Sequence, residues 1–144
     1  MITPKIGIGF TPKNMNQSGS TYDVLSRGMI ASRFEMDIYA SNISNAHSTR
    51  INGIDPERRK FVEIQSSPTG PKIIGIGEDM SPLPEKYDPG NPHANARGYV
   101  TGTNINEVKA SVNMMNTSRA YELMVNATNV FSRLNRKALT IGDR

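Results

Sequence analysis

The sequence of 144 residues contains no cysteine and no tryptophan, and only nine of its residues are aromatic. Without cysteine, no disulfide framework, thiolate nucleophile or Cys-ligated metal site is possible. The apolar residues amount to 36%, and so few large side chains do not favour a thick core that one chain closes by itself. We therefore expect an extended protein that completes its burial in an assembly.

Long apolar runs are missing as well. No stretch approaches the roughly 18 apolar residues of a membrane span, which predicts no direct membrane insertion. The N-terminus lacks the basic-then-apolar layout of a cleaved signal peptide, so we expect any export to use another route. The net charge of +4 is spread along the chain and lacks the clustering typical of nucleic-acid binding.

The chain also lacks the residue patterns of known catalytic or cofactor sites. The two histidines, His47 and His93, lie far apart and have no second ligand at helical spacing, which predicts no metal site. Gly7-Ile8-Gly9 and Gly75-Ile76-Gly77 carry only part of a phosphate-loop fingerprint and open no predicted helix. We expect neither a cofactor nor an enzyme.

Two segments with coiled-coil-like apolar spacing lie at opposite ends of the chain. Alternating steps of four and three residues keep one stripe of a helix facing a partner helix. The first stripe comprises Leu25, Met29, Ser32, Met36, Tyr39 and Ile43, and the second Ala120, Met124, Ala127, Phe131, Leu134, Ala138 and Ile141. The pattern predicts a mainly α protein whose terminal helices pair as a coiled-coil-like bundle.

Capping residues set the expected helix boundaries. Ser20 with Asp23 resembles a capping box, so the first helix is predicted from residue 22 to about Asn45. Asn104 with Glu107 resembles a second one, and that helix can run unbroken to residue 141 before a stop at Gly142. At about 55 Å it would exceed the roughly 37 Å diameter of a compact chain of this length.

The remaining segments are predicted to be an arm and an insert. Residues 1–21 are rich in Gly, Pro, Asn and Ser, which predicts a flexible arm unless it docks. Dense proline and glycine in residues 50–103 exclude a long helix there. Within that insert, residues 60–65 and 72–76 are predicted strands joined by a hairpin turn at 66–70, and residues 87–92 form a rigid turn. Residues 22–49 and 104–142 are the predicted paired helices.

Two asparagines near the end of the first helix share a face. Asn42 and Asn45 are three residues apart, and Asn is a weak helix former. They are either fraying polar surface or hydrogen-bonding groups at the helix end and across packed helices. We favour the second interpretation because Ile43 and Ala46 frame them with apolar surface.

The segment around these asparagines resembles a known family. Residues 40–49 (ASNISNAHST) are similar to the A-x-N-I-A-N-A-x-T signature of flagellar axial proteins, which include rod, hook and hook-associated proteins. Residues 28–29 and 33–37 resemble the stretch that leads into that signature. The signature alone does not separate the axial proteins from one another.

The middle and end of the chain resemble the proximal-rod members of that family. Residues 56–60 (PERRK) are similar to their P-Y-R-R-K, and residues 87–100 to their Y-D-P-G-x-P-x-A-x-x-x-G-Y-V. Residues 104–106, 119–122 and 138–142 resemble their C-terminal helix. The likeness covers about residues 22–142; the departures are the extra arm, Ser32 for Gln, Ser44 for Ala and Thr103 for Pro.

The resemblance implies a structural subunit of the proximal rod, the drive shaft that transmits torque from motor to hook. It implies assembly with copies of itself and other rod proteins, export uncleaved through the flagellar type III apparatus, and a place in the periplasm-spanning basal body. The expected packing and assembly positions are Met36, Tyr39, Asn42, Ile43, Asn45, Tyr121, Met124, Phe131 and Leu134. The alternatives are another axial protein or a basic helical nucleic-acid-binding protein.

Overall fold

The computed structural model describes residues 15–142, with side-chain surroundings for residues 21–141. Two long helices, α1 (Met15–Ser44) and α2 (Glu107–Gly142), flank in the sequence an insert of four short strands. The strands are β1 (Lys60–Gln65), β2 (Lys72–Glu78), β3 (Glu85–Tyr87) and β4 (Tyr99–Thr101). The predicted class, mainly α with a small β insert, is confirmed. Residues 1–14 of the predicted arm lie outside the described residues.

The two helices pack side by side and antiparallel. The ring of Tyr22 meets Phe131 edge-on, with centroids 5.3 Å apart. Six residues further along α1, Gly28 lies against the sulfur of Met124, so the partner residues descend in number as α1 ascends. With 30 and 36 residues, the helices are about 45 and 54 Å long. The expected elongated shape follows from their length.

The stripe of α2 that faces α1 differs in phase from the predicted one. Its members are buried or half-buried at alternating steps of four and three: Ala110, Met114, Thr117, Tyr121, Met124, Thr128, Phe131 and Asn135. Only Met124 and Phe131 belong to both stripes. The other predicted members, Ala120, Ala127, Leu134, Ala138 and Ile141, are exposed, so the predicted stripe is wrong for the pairing within the subunit.

Threonine explains part of this difference. The hydroxyl of Thr128 donates to the carbonyl of Met124 one turn back, at 2.8 Å. A threonine whose hydroxyl is satisfied by its own helix can present its methyl group to a neighbour. A stripe selected by apolar residue type therefore misses such positions.

α1 begins at Met15, five residues before the capping box predicted at Ser20. The register set by Tyr22 and Phe131 brings Met15 level with about residue 138, where α2 is still helical. A partner helix alongside outweighs the weak helix propensity of Asn, Ser and Gly in this turn. The predicted start is therefore wrong, while the predicted end near Asn45 holds within one residue.

The N-cap of α2 is Asn106, not Asn104. The side-chain oxygen of Asn106 accepts from the backbone N–H of Lys109 at 2.8 Å, which is the bond that defines an N-cap. The Asn104–Glu107 capping box is therefore wrong, because the Asn104 amide is used elsewhere, as described below.

The longer hairpin lies along α1. β1 and β2 pair antiparallel, with Lys60 opposite Glu78 and a bulge at which Ile74 is the extra residue. The turn between them, predicted at residues 66–70, closes with a 3.0 Å bond from the Gly70 N–H to the Ser67 carbonyl. Gly70 touches the α1 backbone at Val24, so the turn lies beside the first half of α1.

The shorter strands β3 and β4 form a second antiparallel pair, which the sequence did not predict. The predicted turn at residues 87–92 lies in the connection between them and is held by the bond from the Asp88 N–H to the Gly98 carbonyl, at 2.9 Å. Outside the strands, Thr49 pairs with Gly102, so the chain leaving α1 meets the chain entering α2. The insert therefore starts and ends at one place.

The core of the described region is thin. Its buried apolar residues are Ala31, Ile38, Val100, Ile105 and Ala110, and no large side chain there is fully buried. Two of the five are alanines, which contribute little apolar area each. Much of the large apolar surface of the described region is therefore exposed.

We predict that Gly70→Ala destabilises the protein by about 1–3 kcal/mol. Gly70 has a φ of 109°, and an added Cβ would lie 3.0 Å from the Cα of Val24, which is backbone and cannot move aside. Urea unfolding followed by circular dichroism measures the loss. Gly90→Ala is the control, because its added Cβ comes no nearer than 4.0 Å to another atom; equal stability of the two variants would contradict the prediction.

Candidate assembly surface

Asn42 joins α1 to the start of β1. Its side-chain NH2 donates to the carbonyl of Lys60 at 2.8 Å, and its side-chain oxygen accepts from the N–H of the same residue at 2.9 Å. Asn42 is only 4% exposed. One amide thereby satisfies both backbone groups of one strand residue, as a neighbouring strand would. Both of its groups are used within the subunit.

Asn104 holds the adjacent residue from the other side. Its side-chain oxygen accepts from the N–H of Arg59 at 2.8 Å, and its NH2 donates to the carbonyl of Asp79 at 2.8 Å and to the hydroxyl of Ser81 at 3.0 Å. Neighbouring Thr103 donates its hydroxyl to the carbonyl of Glu57 at 2.6 Å. The segment before α2 is therefore bonded to both ends of the longer hairpin. We call Asn42 and Asn104 together the asparagine clamp.

Charges surround the asparagine clamp. The Arg59 guanidinium donates to the Asp79 carboxylate at 3.0 Å and lies 5.6 Å from the centre of the Phe61 ring. The hydrogen bonds from Ser81 are the largest cause of the lowered pKa of Asp79, and the hydrogen bond from Arg59 lowers that pKa further. Burial raises the pKa of Tyr39, the Glu35 carboxylate adds to the rise, and Arg59 opposes it. These groups meet at an open cleft of about 270 Å³ between α1, the insert and α2.

The predicted assembly residues fall into three environments. Met36, Tyr39 and Ile43 are half-buried on α1, and Tyr121, Met124 and Phe131 are half-buried on the face of α2 that lies on α1. Asn42 belongs to the clamp, and Asn45 donates to the Ser41 carbonyl at 2.9 Å within its own helix end. Leu134 alone is largely exposed, at 58%.

Leu134 belongs to a second apolar stripe, which sequence reasoning missed. Its members are 45–76% exposed: Val108, Val112, Met115, Leu123, Val130, Leu134 and Ile141. At 3.6 residues per turn they fall within an arc of about 100° on the side of α2 away from α1. We call this set the outer stripe. Its members are separated by three, four, seven or eight residues, the spacing of one helix face; this was the available signal, but the apolar residues on the opposite face masked it.

The described residues hold no cluster of three or more metal-ligating side chains. Neither α1 nor α2 contains a window apolar enough to cross a membrane.

Comparison with known proteins places these features in a class. Residues 96–141, which include all but the last residue of α2, match the family model described as "Flagellar basal body rod FlgEFG protein C-terminal". The C-terminal helix of this chain is thus similar to that of flagellar rod-type proteins.

Relatives that match along most of their length identify the branch. The flagellar basal-body rod protein FlgC of Bacillus subtilis is 33% identical over 142 residues, covering 83% of this chain and 95% of the relative. FlgC of Salmonella typhimurium is 32% identical, with 85% and 96% covered, and FlgC of Borreliella burgdorferi is 31% identical, with 85% and 95% covered. The chain belongs to the FlgC family of flagellar basal-body rod proteins.

We predict that Asn42→Ala destabilises the protein by about 1–3 kcal/mol, because it leaves the N–H and the carbonyl of Lys60 without their partner. Thermal unfolding measures the change. Asn45→Ala is the matched control, since it removes only a bond within the helix end. If Asn45→Ala cost as much as Asn42→Ala, helix propensity rather than the clamp would explain the loss.

The pKa of Asp79 predicts a pH dependence. A carboxyl group whose pKa is lowered in the folded state stabilises that state above its unfolded pKa and loses the contribution as the pH falls through the folded pKa. Asp79→Asn should therefore be less stable than the original chain at pH 7, and the difference should shrink below the ordinary value of 3.8. Urea midpoints at pH 7 and at pH 3 measure it. A difference that does not change between these pH values contradicts the assignment.

Proposed function

We propose that the outer stripe of α2 is the surface through which this subunit packs against helices of neighbouring subunits in the rod. As a member of its family, the chain is a structural subunit of the flagellar basal-body rod that assembles with other rod components. Family membership does not favour the nucleic-acid-binding alternative. The outer stripe carries the proposal because its seven apolar side chains share one face of α2 that α1 leaves uncovered.

The apolar area of the outer stripe favours association. The outer stripe carries seven large apolar side chains, each nearly half exposed or more. Complete burial of one such side chain is worth about 1.5–3 kcal/mol. The loss of freedom on docking costs on the order of 4–15 kcal/mol, so several side chains must be covered together to outweigh it. Side chains that share one face can be covered together by one partner helix, whereas apolar residues scattered over several faces cannot.

The finer assignment follows the family resemblance. We propose a place in the proximal rod, with copies of this chain and other rod proteins as neighbours. We propose export through the flagellar type III apparatus and a purely structural role. The clamp, its charges and the helix pairing all serve to hold the subunit rigid, which is what torque transmission requires.

We predict that the double variant Leu123→Asp and Leu134→Asp folds normally but fails to enter rods. Both side chains are exposed, at 69% and 58%, so the isolated subunit loses little, whereas burying two carboxylates in a helix–helix contact opposes assembly. Circular dichroism of the purified chain measures folding. Swimming, and rods in basal bodies isolated from cells carrying only the variant, measure assembly.

The control places a single carboxylate on another face. Asn129→Asp is also exposed but lies about 90° around α2 from the centre of the outer stripe. Normal rods are expected for this control. Normal rods in the double variant would show that the outer stripe is not the assembly surface.

A further inference from the structure

We propose that residues 4–10 of one copy form a strand that pairs antiparallel with the free edge of β2 in a neighbouring copy. The inference rests on the proposed function only in requiring copies of this chain side by side. The contact is separate from the outer stripe, which lies on α2.

The first observation is an internal repeat. Residues 4–9 read Pro-Lys-Ile-Gly-Ile-Gly, and residues 71–77 read Pro-Lys-Ile-Ile-Gly-Ile-Gly. The two differ by one inserted isoleucine at the position of Ile73–Ile74, and Ile74 is the bulged residue of β2. The segment near the N-terminus therefore carries the sequence of a strand without its bulge. Prolines bracket it on both sides, at Pro4 and Pro12.

The second observation is that β2 has an unpaired edge among the described residues, since its sheet contains only β1 and β2. Asn42 takes the N–H and carbonyl of Lys60 on the far side of β1, so Lys60 and Glu78 form a non-hydrogen-bonded pair. In an antiparallel ladder such pairs alternate, and Val62 opposite Ile76 is the next one. The N–H and carbonyl groups of Ile76 and Glu78 consequently point to the free edge.

The third observation is complementarity in one register. With Lys5 opposite Glu78, both isoleucines of residues 4–10 face a glycine of β2: Ile6 opposite Gly77 and Ile8 opposite Gly75. The Phe61 ring already covers Gly77, with an atom 2.5 Å from where a Cβ would lie, so the side chain of Ile6 would pack beside that ring. Glu78 would lie between Lys60 and Lys5, whereas a parallel strand would bring Lys5 towards Lys72.

Proline fits the same register. Lys5 and Gly7 take the hydrogen-bonded positions opposite Glu78 and Ile76. Pro4 precedes Lys5 at the start of the strand, where the N–H that proline lacks would face away from β2. An added strand of this kind is a common mode of recognition in which backbone bonds give affinity and side-chain positions give register.

Chain length selects a neighbouring copy over the same chain. The distance from Met15 to Val24 along α1 is about 13 Å. Gly70 touches Val24, and the strand from Gly70 to Ile74 extends about 13 Å further in the same direction. Six residue steps from Gly9 to Met15 span at most about 21 Å. Gly9 cannot reach Ile74 of its own chain while α1 begins at Met15, so the acceptor strand belongs to another copy.

The absence of cysteine makes a direct test possible. Purified Gly7→Cys chains are mixed in concentrated solution with Ile76→Cys chains and mildly oxidised. The register places these residues directly opposite, about 5.5 Å apart between Cα atoms, which suits a disulfide. We expect a cross-linked dimer of one chain of each kind on a non-reducing gel. Mass spectrometry of the digested dimer should identify the disulfide-linked peptide that joins the two substituted positions.

The control shifts the thiol by one residue. Ile8→Cys mixed with Ile76→Cys puts the two side chains on opposite faces of the sheet, and no mixed dimer is expected. Equal cross-linking of both mixtures, its absence from both, or dimers formed by Ile76→Cys chains alone would overturn the proposal. So would a cross-link within single chains that carry both Gly7→Cys and Ile76→Cys. Because no rod is needed for this measurement, its failure is distinct from failure of the outer-stripe variant.

Discussion

The position of the insert depends on two asparagine amides that hold adjacent residues of one strand. Asn42, from α1, takes both backbone groups of Lys60, and Asn104, from the segment before α2, takes the N–H of Arg59. Apolar burial is non-directional and would allow the hairpin to slide or tilt. Hydrogen bonds of fixed geometry do not allow this, so the clamp sets one orientation for the insert. A subunit that transmits torque needs that kind of constraint more than it needs a large core.

The thin core and the exposed stripe are two aspects of one arrangement. α2 presents one face to α1 and the outer stripe to its surroundings, so in the proposed assembly the same helix serves folding with one side and subunit contacts with the other. Anything that binds only the folded subunit stabilises it by mass action. Neighbours that cover the outer stripe therefore add to the stability of a subunit whose buried apolar residues are few and partly alanine. The proposed assembly thus couples to folding through this helix.

The sequence predicted the element types better than the contacts between them. Both long helices, the hairpin of β1 and β2 and its turn at Gly70 follow from periodicity and turn residues. The face of α2 that packs on α1 could not be predicted, because apolar residues occupy both sides of this helix. In addition, Thr128 lies in the stripe that faces α1, with its hydroxyl bonded within its own helix. The N-cap of α2 could not be predicted either, because Asn104 fits a capping box in the sequence but its side chain bonds to the insert. β3 and β4 have three residues each, too few for alternation to be read. In each case a long-range partner, absent from any local window, decided the outcome.

Asparagine at position 42 has a stereochemical explanation. The N–H and the carbonyl of Lys60 point in the same direction from the strand. A single side chain that bonds to both must offer an acceptor to the N–H and a donor to the carbonyl. A carboxylate offers no donor, and a hydroxyl offers one atom where two are required. Glutamine carries the right atoms on a stem one methylene longer, which would push β1 away from α1. The asparagine amide meets this demand at a distance that keeps helix and strand in contact, so Asn42 lies where the long helix and the insert are joined.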